Sequence, residues 1–556
     1  MLVDRIEQPP SHPVTEAYMN QSDPGVAELF GSHPVEAEAW RERMAWLDKS
    51  VEQRADRKQT AGVLRMYNER LGLTPALEAN LTALEQGAPV IVGGQQAGLF
   101  TGPVMVIHKA ISIIQAARWA EAATGKRVVP VFWIAGEDHD WAEANHAIVV
   151  RGDGGLHKIA VEREEHPRTS VSRTKLSSGI LQAAIQELAD TLPDSAHKAE
   201  LLDELEAAIR GSDTLSDQFA ALLASMFARE GLVLMDADDP KLRRVEGPMF
   251  ARLIESGQQL EEAYRENGAR LEALGYPLQV ESQPDCANLF VFRDERLQPG
   301  VGRLAGERVL MYRREGRYED RKGTLIVERD KLLQLAAETP ELLSNNVLTR
   351  PLMQDYVLPV LATVLGPGEI AYWAQTSYAF RALDMRMPIV LPRMSFTMLD
   401  EPLKKRMAGF DLSLNEVKSK SRFDERKSAW LAQQGATDLD ARFEAAEQGF
   451  AALYQPLLDE LAELDGGLGA LGQRNRERII EQIRYLQRKT HEAHQLRHEA
   501  DLRRFDYIAA WLQPDGKPQE RVISWVSLWN RHGRHWLDSL LAIPYDHQSN
   551  HCVVHL

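Results

Sequence analysis

Two polar turns contain the residue types in this sequence that could do chemistry. The first follows an apolar run that ends at Val92 and reads Gly-Gly-Gln-Gln-Ala-Gly. Backbone amides in a turn between a strand and a helix can receive an anion, and glutamine side chains can hydrogen-bond a ligand. The candidate binding residues here are Gln95, Gln96, Gly98, Thr101 and Gly102. The turn matches neither the Walker A motif nor the dinucleotide fingerprint, so its glycines could equally serve the chain reversal alone.

The helix predicted after this turn contains His108 and Lys109 in its first turns. Both are candidates for catalysis because an imidazole or an ammonium group can stabilise negative charge that develops during a reaction. The alternative for His108 is a packed position in the core.

The second turn follows the apolar run Val128–Ile134 and concentrates carboxylates and imidazoles over ten residues. Three roles are available to such a set: metal ligation, general base catalysis on an amine, and recognition of sugar or amino groups. The alternative is a helix cap with a solvated acidic turn. The candidates are Asp138, His139 and Asp140 for catalysis and Glu137, Asn145 and His146 for binding, and no metal ligands are assigned.

A third polar set lies within apolar sequence between residues 344 and 395. Burying such groups without partners is costly, so they either pair with one another or face a ligand. The candidate binding residues are Asn346, Arg350, Gln354, Asp355, Tyr372, Trp373, Gln375 and Arg393.

The elements that must position these residues alternate between strand and helix, which predicts an α/β fold with a doubly wound sheet. Strands are predicted at residues 88–92, 128–134, 147–150 and 231–239, and a helix from Pro103. Residues 175–230 are predicted to be a helical insertion, and residues 288–292 and 308–312 to be antiparallel strands.

The sequence beyond residue 400 is typical of charged helices. A seam of Phe443, Phe450, Leu453, Leu457, Leu461 and Leu464 predicts a coiled coil. The glycine-rich segment 466–472 is predicted to be the turn of a long antiparallel helical hairpin, whose surface could form a dimer. The Trp- and His-rich tail is predicted to pack back on the core.

Composition excludes several classes of function. The 556 residues carry a net charge of −16, which argues against nucleic acid and membrane surfaces as partners. No apolar run reaches the roughly 20 residues of a membrane span, and the N-terminus lacks the pattern of a signal peptide. With only two cysteines, Cys286 and Cys552, the cytoplasm is the expected compartment.

Five sequence blocks resemble the bacillithiol biosynthesis protein BshC family. They read GGQQAGLFTGPVMVIHKAISII, VPVFWIAGEDHDWAEANH, NNVLTRPLMQD, LGPGEIAYWAQ and MPIVLPRMS. The resemblance implies a Rossmann-like, nucleotidyltransferase-like core with two connecting-peptide insertions and an α-helical antiparallel coiled-coil domain that dimerises. The implied limits are 1–155, 231–275 and 331–400 for the core, 156–230 and 276–330 for the insertions, 401–510 for the coiled coil, and 511–556 for the C-terminal segment.

The activity implied by the resemblance is a cysteine ligase that joins cysteine to the amine of glucosaminyl-malate, the last step of bacillithiol biosynthesis. The wider group's His-x-Gly-His and Lys-Met-Ser-Lys-Ser signatures are not intact here, so ATP, ADP or another nucleotide is left open as a ligand, and no metal is specified. Activated cysteine is expected against Gln95, Gln96, His108 and Lys109. Asp138, His139 or Asp140 would accept the amine proton, and Arg350 or Arg393 would bind the malate carboxylates. The alternatives are a nucleotidyltransferase for another carboxylic acid and a noncatalytic nucleotide-binding scaffold.

Overall fold

The computed structural model describes residues 2–6, 12–163, 167–281, 283–434, 439–547 and 551–556. The chain divides into two compact units. The first comprises Met1–Val149, His157–Met398 and Glu520–Leu556, and the second comprises Val150–Leu156 and Leu399–Gln519.

The described residues form strands and helices along the whole chain. The strands are β1 (Leu2–Ile6), β2 (Val90–Gln95), β3 (Val129–Ile134), β4 (His146–Val150), β5 (Leu156–Ala160), β6 (Val233–Asp236), β7 (Cys286–Phe292), β8 (Arg308–Arg314), β9 (Arg317–Asp320), β10 (Ile326–Glu328), β11 (Leu343–Asn345), β12 (Val360–Leu365), β13 (Ile389–Pro392), β14 (Ser395–Leu399) and β15 (His551–His555). The helices of the first unit are α1 (Pro13–Met19), α2 (Pro24–Phe30), α3 (Ala37–Lys49), α4 (Arg57–Glu69), α5 (Pro75–Glu85), α6 (Met105–Thr124), α7 (Trp141–Ala144), α8 (Ser178–Thr191), α9 (Lys198–Ile209), α10 (Leu215–Phe227), α11 (Pro240–Glu255), α12 (Gly257–Ala273), α13 (Arg329–Glu338), α14 (Arg350–Val357), α15 (Pro367–Ala374) and α16 (Ser377–Ala382). The helices of the second unit are α17 (Glu401–Ala408), α18 (Leu414–Val417), α19 (Lys420–Gln433), α20 (Leu439–Leu464), α21 (Gly466–Arg497) and α22 (Glu499–Leu512), and α23 (Trp525–His532) and α24 (His535–Leu541) belong to the first unit again.

The central sheet of the first unit has the strand order β13-β12-β2-β3-β6, and all of its strands are parallel. Its strands are buried apolar runs, as expected for a parallel sheet with helices on both faces. Read from β6, the strands come third, second, first, fourth and fifth along the chain, which is the order of a Rossmann fold. The order reverses between β2 and β12, and ligands bind in such folds at the carboxyl ends of the two strands that flank this switch point.

The other sheets of the first unit are antiparallel or small. The second insertion forms a five-stranded sheet of order β10-β9-β8-β7-β11, in which β7 and β8 pair antiparallel as predicted. The first insertion is helical as predicted and contains α8, α9 and α10. The predicted strand at residues 147–150 exists as β4, but it pairs with β5 in a separate two-stranded sheet, so its assignment to the central sheet was wrong.

A tight turn joins β2 to α6. Phe100, Thr101 and Gly102 have φ angles of 47°, 60° and 70°, in the left-handed region that a β-branched residue such as Thr101 rarely adopts. The Phe100 amide donates to Gln218 Oε1 (3.2 Å), and its carbonyl accepts from Trp525 Nε1 (2.8 Å). Because this turn consumes residues 99–104, α6 begins at Met105 and not at Pro103 as predicted.

The second unit contains the predicted antiparallel helical hairpin, formed by α20 and α21. Arg484 pairs with Glu447, and Arg476 donates to Gln455 across the hairpin (2.8 Å). The segment predicted to be its turn is instead the start of α21, because the carboxylate of Asp465 caps that helix at the Gly467 amide (2.7 Å).

The predicted seam of α20 is wrong in part. Leu458 is the side chain of this helix that is fully buried, whereas Leu453, Leu457 and Leu464 are exposed by 80%, 46% and 77%. At about 100° per residue, these three leucines lie roughly 100–140° around the helix from Leu458, on its exposed flank. Among the described residues, no helix is long and apolar enough to cross a membrane.

Candidate active site

A buried lysine bridges the two strands that flank the switch point. Lys109 is 2% exposed, and its Nζ donates to the Gly94 carbonyl (2.7 Å), to Gln95 Oε1 (3.1 Å) and to the Glu369 carboxylate. Glu369 also accepts from the Gly366 amide (2.7 Å), directly after β12. Burial lowers the pKa of Lys109, and the negative charge of Glu369 opposes that shift. The ammonium group therefore ties the carboxyl end of β2 to that of β12.

His108 belongs to a second buried network beside β13. Its Nδ1 bonds to Glu520 (2.7 Å), which also accepts two hydrogen bonds from Arg393 (2.7 and 2.9 Å) and one from Ser395 (3.0 Å). Burial would raise the pKa of Glu520, but Arg393 and His108 hold it well below the usual range.

Burial also lowers the pKa of His108. Because a carboxylate oxygen accepts, Nδ1 carries a proton, and Nε2 has no protein partner in the part of the chain that the structure describes. The contact with Glu520 holds the ring of His108 in the core, as the alternative for this residue predicted.

Arg350 and Arg393 were both predicted to bind carboxylates of a ligand. The bidentate pair between Arg393 and Glu520 distinguishes the two. Arg393 already pairs with the Glu520 carboxylate through two hydrogen bonds, and it donates to the Met394 carbonyl as well (2.9 Å). Arg350 donates to the Tyr372 hydroxyl and, at 3.5 Å, to Gln354 Oε1, and pairs with no carboxylate in the described residues. Burial raises the pKa of Tyr372 to about 12, so its phenol stays protonated. Arg350 keeps donors for a ligand.

The two predicted turns lie against each other. Gln96 Nε2 donates to the Asp140 carbonyl (3.0 Å), and the Ala135 amide donates to the Gln95 carbonyl (2.9 Å). A Cβ on Gly98 would lie 3.4 Å from the Ala144 carbonyl oxygen, so this glycine allows the close approach of the second turn. The structure therefore brings Gln95, Gln96 and Gly98 together with the turn after β3.

The carboxylates of the second turn differ in their environments. Glu137 is buried, and its carboxylate accepts hydrogen bonds from Arg243 (2.5 Å) and Ser344 (2.9 Å). This carboxylate is therefore occupied by donors of the protein. Asp138 is 42% exposed, and one of its oxygens accepts the amides of His139 (2.6 Å) and Asp140 (3.2 Å). Asp140 is exposed and caps α7. Asp138 and Asp140 are thus the two carboxylates of this turn that a ligand can reach.

His139 accepts a hydrogen bond from Arg308. Its Nδ1 lies 2.7 Å from Nη1 of Arg308, and because a guanidinium cannot accept, Nδ1 must be the acceptor and Nε2 must carry the proton. Burial lowers the pKa of His139 to about 4, and the charges of Arg308 and Arg168 contribute to the shift. The predicted role of His139 as proton acceptor would require Nδ1 to release Arg308.

Several predicted site residues have structural partners instead. Asp355 pairs with buried Arg43 and Arg54 beside the Val360 carbonyl, at the amino end of β12 and away from the switch point. Trp373 is fully buried in the core. Neither residue is brought together with the two turns.

Amide and imidazole candidates likewise stabilise local structure. Gln375 accepts from the amides of residues 279 and 280 (3.0 Å each), and Asn346 accepts from those of residues 348 and 349 (2.9 Å each). The Asn145 carbonyl accepts from the Val161 amide (2.9 Å), and His146 Nδ1 lies 3.0 Å from the Ala142 carbonyl.

In the turn between β2 and α6, the amides of Phe100, Thr101, Gly102 and Val104 each donate to a protein acceptor. A nucleotide phosphate binds to free amides at such a turn. These four amides are therefore not available to a phosphate. Among the described residues, no group of three or more His, Cys, Asp or Glu side chains could hold a metal ion.

A buried carboxylate at the end of β6 was missed by the sequence reasoning. Asp236 accepts from Ser172 Oγ (2.6 Å) and from the Asp238 amide (2.9 Å), and has no cationic partner within 4 Å among the described residues. Burial raises its pKa to about 7. The sequence signal for Asp236 was its position at the end of a short apolar run, which is typical of the end of a buried strand.

Other functional candidates were missed because their partners are distant in the sequence. Glu369 had a local signal, since a glutamate three residues after Gly366 forms a capping box. Arg308 and Glu520 had none, because their contacts lie 169 and 412 residues away.

The strand order and the polar crevice at the switch point define a Rossmann-like α/β protein with an added helical coiled-coil unit. Family models agree with this class over nearly the whole chain. The N-terminal Rossmann-like domain of bacillithiol biosynthesis BshC matches residues 1–394, and its C-terminal coiled-coil domain matches residues 396–556. The chain belongs to the bacillithiol biosynthesis BshC family.

Curated relatives match over the full length. A protein of Geobacillus sp. strain WCH70 is 34% identical over 559 residues, covering 100% of both chains. One of Geobacillus thermodenitrificans is 36% identical over 530 residues, covering 95% of both chains. One of Bacillus cytotoxicus is 32% identical over 505 residues, covering 90% of this chain and 91% of the relative. Each is named "Putative cysteine ligase BshC".

Proposed function

We propose that this protein is a cysteine ligase that forms the amide bond between the carboxyl group of cysteine and the amine of glucosaminyl-malate, producing bacillithiol. Membership of the BshC family is the observation that carries this proposal, and the names of the relatives support the ligase class. The crevice at the switch point supports it further, because amide donors, a buried lysine and solvent-accessible carboxylates meet there.

The reaction requires a neutral amine, because an ammonium nitrogen has no lone pair. In our proposal Asp138 accepts the proton from the amine of the sugar. One oxygen of its carboxylate accepts two backbone amides, which fixes the side chain, and the group remains 42% exposed. Asp140 is the alternative base on the same turn.

The freed amine then attacks the carboxyl carbon of an activated cysteine, an acyl donor that carries a leaving group. The C–N bond forms, and the leaving group departs with the electrons of its bond to carbon. The side chains of Gln95 and Gln96 would hold the acyl donor beside Lys109, whose ammonium is already fixed by Gly94 and Glu369. The proposal contains no step that involves a nucleotide.

The malate portion of the acceptor carries two carboxylates and therefore favours cationic partners. Arg350 is suited to bind one of them, since it has no carboxylate partner among the described residues and lies close to Tyr372 and Glu369. Arg393 is not, because Glu520 already occupies its guanidinium.

The direct test is a strain that lacks this gene, analysed by untargeted profiling of thiols. Loss of bacillithiol with accumulation of glucosaminyl-malate is the expected result. Normal bacillithiol would refute the proposal. Pyrophosphate release with an unrelated carboxylic acid would favour a nucleotidyltransferase.

The base assignment is tested by complementation with Asp138→Asn, which keeps the oxygen that accepts the two amides and removes the charge. Loss of a general base typically reduces the rate by about 10²–10⁴-fold. Asp140→Asn is the matched variant on the same turn, and Asp194→Asn, at a fully exposed site, is the control. Normal thiol levels with Asp138→Asn would refute its role.

We also propose that the protein is a homodimer that assembles through the helical hairpin. The exposed leucines Leu453, Leu457 and Leu464 on α20 and Leu471 and Leu486 on α21 support this, because monomeric proteins rarely leave so many large apolar side chains in water.

A further inference from the structure

One buried arginine of the first unit lacks a carboxylate partner. Arg308 is 6% exposed, and within the described ranges no Asp or Glu oxygen lies within 4 Å of its guanidinium. By contrast, buried Arg243 and Arg293 each pair with carboxylates. The charges of Glu137 and Asp138 act on Arg308 only without direct contact. Burying a charge that has no contacting counter-ion is expensive, and a bound anion would supply that contact.

The structure holds this guanidinium firmly in place. Its Nε donates to Ser344 Oγ (3.0 Å), its Nη2 to the Asn345 carbonyl (2.6 Å) and its Nη1 to His139 Nδ1 (2.7 Å). The ring of Phe290 covers one face, with its centroid 3.7 Å from Cζ. A guanidinium has five N–H donors, so two remain after these three bonds.

The side chain of Asn345 is the second observation. It is 1% exposed, and neither its Oδ1 nor its Nδ2 has a partner among the described residues. Leaving a buried amide unsatisfied costs about 1–3 kcal/mol. The backbone of the same residue is fully used, because its amide donates to Glu137 (3.3 Å) and its carbonyl accepts from Arg308.

His139 helps to fix the guanidinium through Nδ1, and its Nε2–H points away from Arg308 on the other side of the ring. The nearest carboxylate of this region, Glu137, is bonded to Arg243 and Ser344 and so does not neutralise Arg308 by direct contact. A fixed cation and a residue with an unsatisfied amide side chain thus contact each other close to the carboxyl end of β3, near Asp138.

We propose that Arg308 and Asn345 form a carboxylate-binding subsite, which holds a carboxylate of the malate portion of the acceptor. The choice of malate rests on the function proposed above, whereas the carboxylate class rests on the donors themselves. This position sets the acceptor beside Asp138, and Arg350 binds the other carboxylate. Neither Arg308 nor Asn345 carries a signal in the sequence for this role.

Asn345→Leu is the discriminating variant, because leucine has the same number of side-chain heavy atoms, branched at the same position, and no polar atoms. If the amide served the fold, its loss would lower the melting temperature. In a ligand site, removal of an unsatisfied buried amide leaves the melting temperature unchanged or raises it, while binding weakens. Arg308→Gln is the second variant, and Arg296→Gln, an exposed arginine of the same insertion, is the control.

Binding is measured by calorimetry on the full-length protein with glucosaminyl-malate, L-malate, glucosamine and inorganic phosphate as separate probes. We expect the two malate compounds to bind at least about tenfold more weakly to Asn345→Leu and Arg308→Gln, as for loss of a hydrogen bond to a charged group. Glucosamine binding is expected to be the same in all proteins.

Equal affinity of wild type and both variants for the malate compounds would overturn the subsite, whatever the protein catalyses. A site that binds only phosphate would overturn it as well. Malate binding that depends on Arg308 and Asn345, in a protein that forms no bacillithiol, would support the subsite and refute the proposed reaction.

Discussion

Glu369→Gln is expected to destabilise the protein because it removes the charge that compensates the buried ammonium of Lys109. Lys109 is 2% exposed and Glu369 22%, so the lysine has less access to solvent. Breaking a buried ion pair by removing one partner typically costs about 3–5 kcal/mol. Lys109 can avoid the cost of a buried, unpaired charge by losing its proton. From an ordinary pKa of 10.5, this deprotonation limits the loss of stability at pH 7 to about 5 kcal/mol.

The reciprocal change is expected to cost less. Lys109→Met leaves Glu369 partly solvated and still bonded to the Gly366 amide (2.7 Å), while the methionine fills most of the lysine's volume. We therefore expect a loss of about 1–3 kcal/mol, in the range for an unpaired polar group. In the double variant no charge is left alone, so its loss should fall below the sum of the single losses by about 1.5–3 kcal/mol.

Thermal unfolding and urea unfolding of the four proteins provide the measurement. Glu38→Gln, in an exposed pair with Arg41, is the control and should change stability by less than about 0.5 kcal/mol. The reasoning would be refuted if Glu369→Gln were no more harmful than this control, or if the effects of Lys109→Met and Glu369→Gln were additive.

Two further predictions concern the helical hairpin and the buried carboxylate at the end of β6. Leu453→Glu combined with Leu464→Glu should convert a dimer to a monomer in light scattering. Leu304→Glu, at an exposed leucine of the first unit, should not. A dimer that persists in the Leu453→Glu, Leu464→Glu double variant would exclude the leucine-bearing face of α20 as the interface. Asp236 has a folded pKa of about 7, above its usual 3.8, so the folded state holds the proton more tightly and stability should fall as pH rises from about 4 to 7. Asp236→Asn should therefore flatten the decline of stability between pH 5 and 8, by about 3 kcal/mol of unfolding free energy, and an unchanged pH profile would contradict the assignment.

The central strands and the two polar turns could be predicted because their signals are local. A buried parallel strand is a short apolar run, and β2 and β3 lie within a few residues of their predicted limits. The third strand was misassigned because sheet membership depends on a long-range partner. The exposed leucines of α20 were placed on the inner seam because apolar spacing defines a broad stripe on a helix and does not show which edge of the stripe is covered.

The candidate site was predicted less completely than the fold. Polar residues within apolar sequence indicate that interaction partners exist, but they do not identify those partners. Arg393 and Asp355 proved to be engaged by Glu520 and by Arg43 and Arg54, while Arg350 kept free donors.

The sequence by itself determined the family, the alternation of strand and helix, and the two turns that meet at the switch point, because each depends on residues close together in the chain. Only the tertiary structure decided which charges are compensated. His108 meets Glu520 across 412 residues, and Arg308 meets His139 across 169. Whether a buried group is satisfied depends on the atoms around it in space, and this separates Arg393, which stabilises the fold, from Arg308, which is left for a ligand.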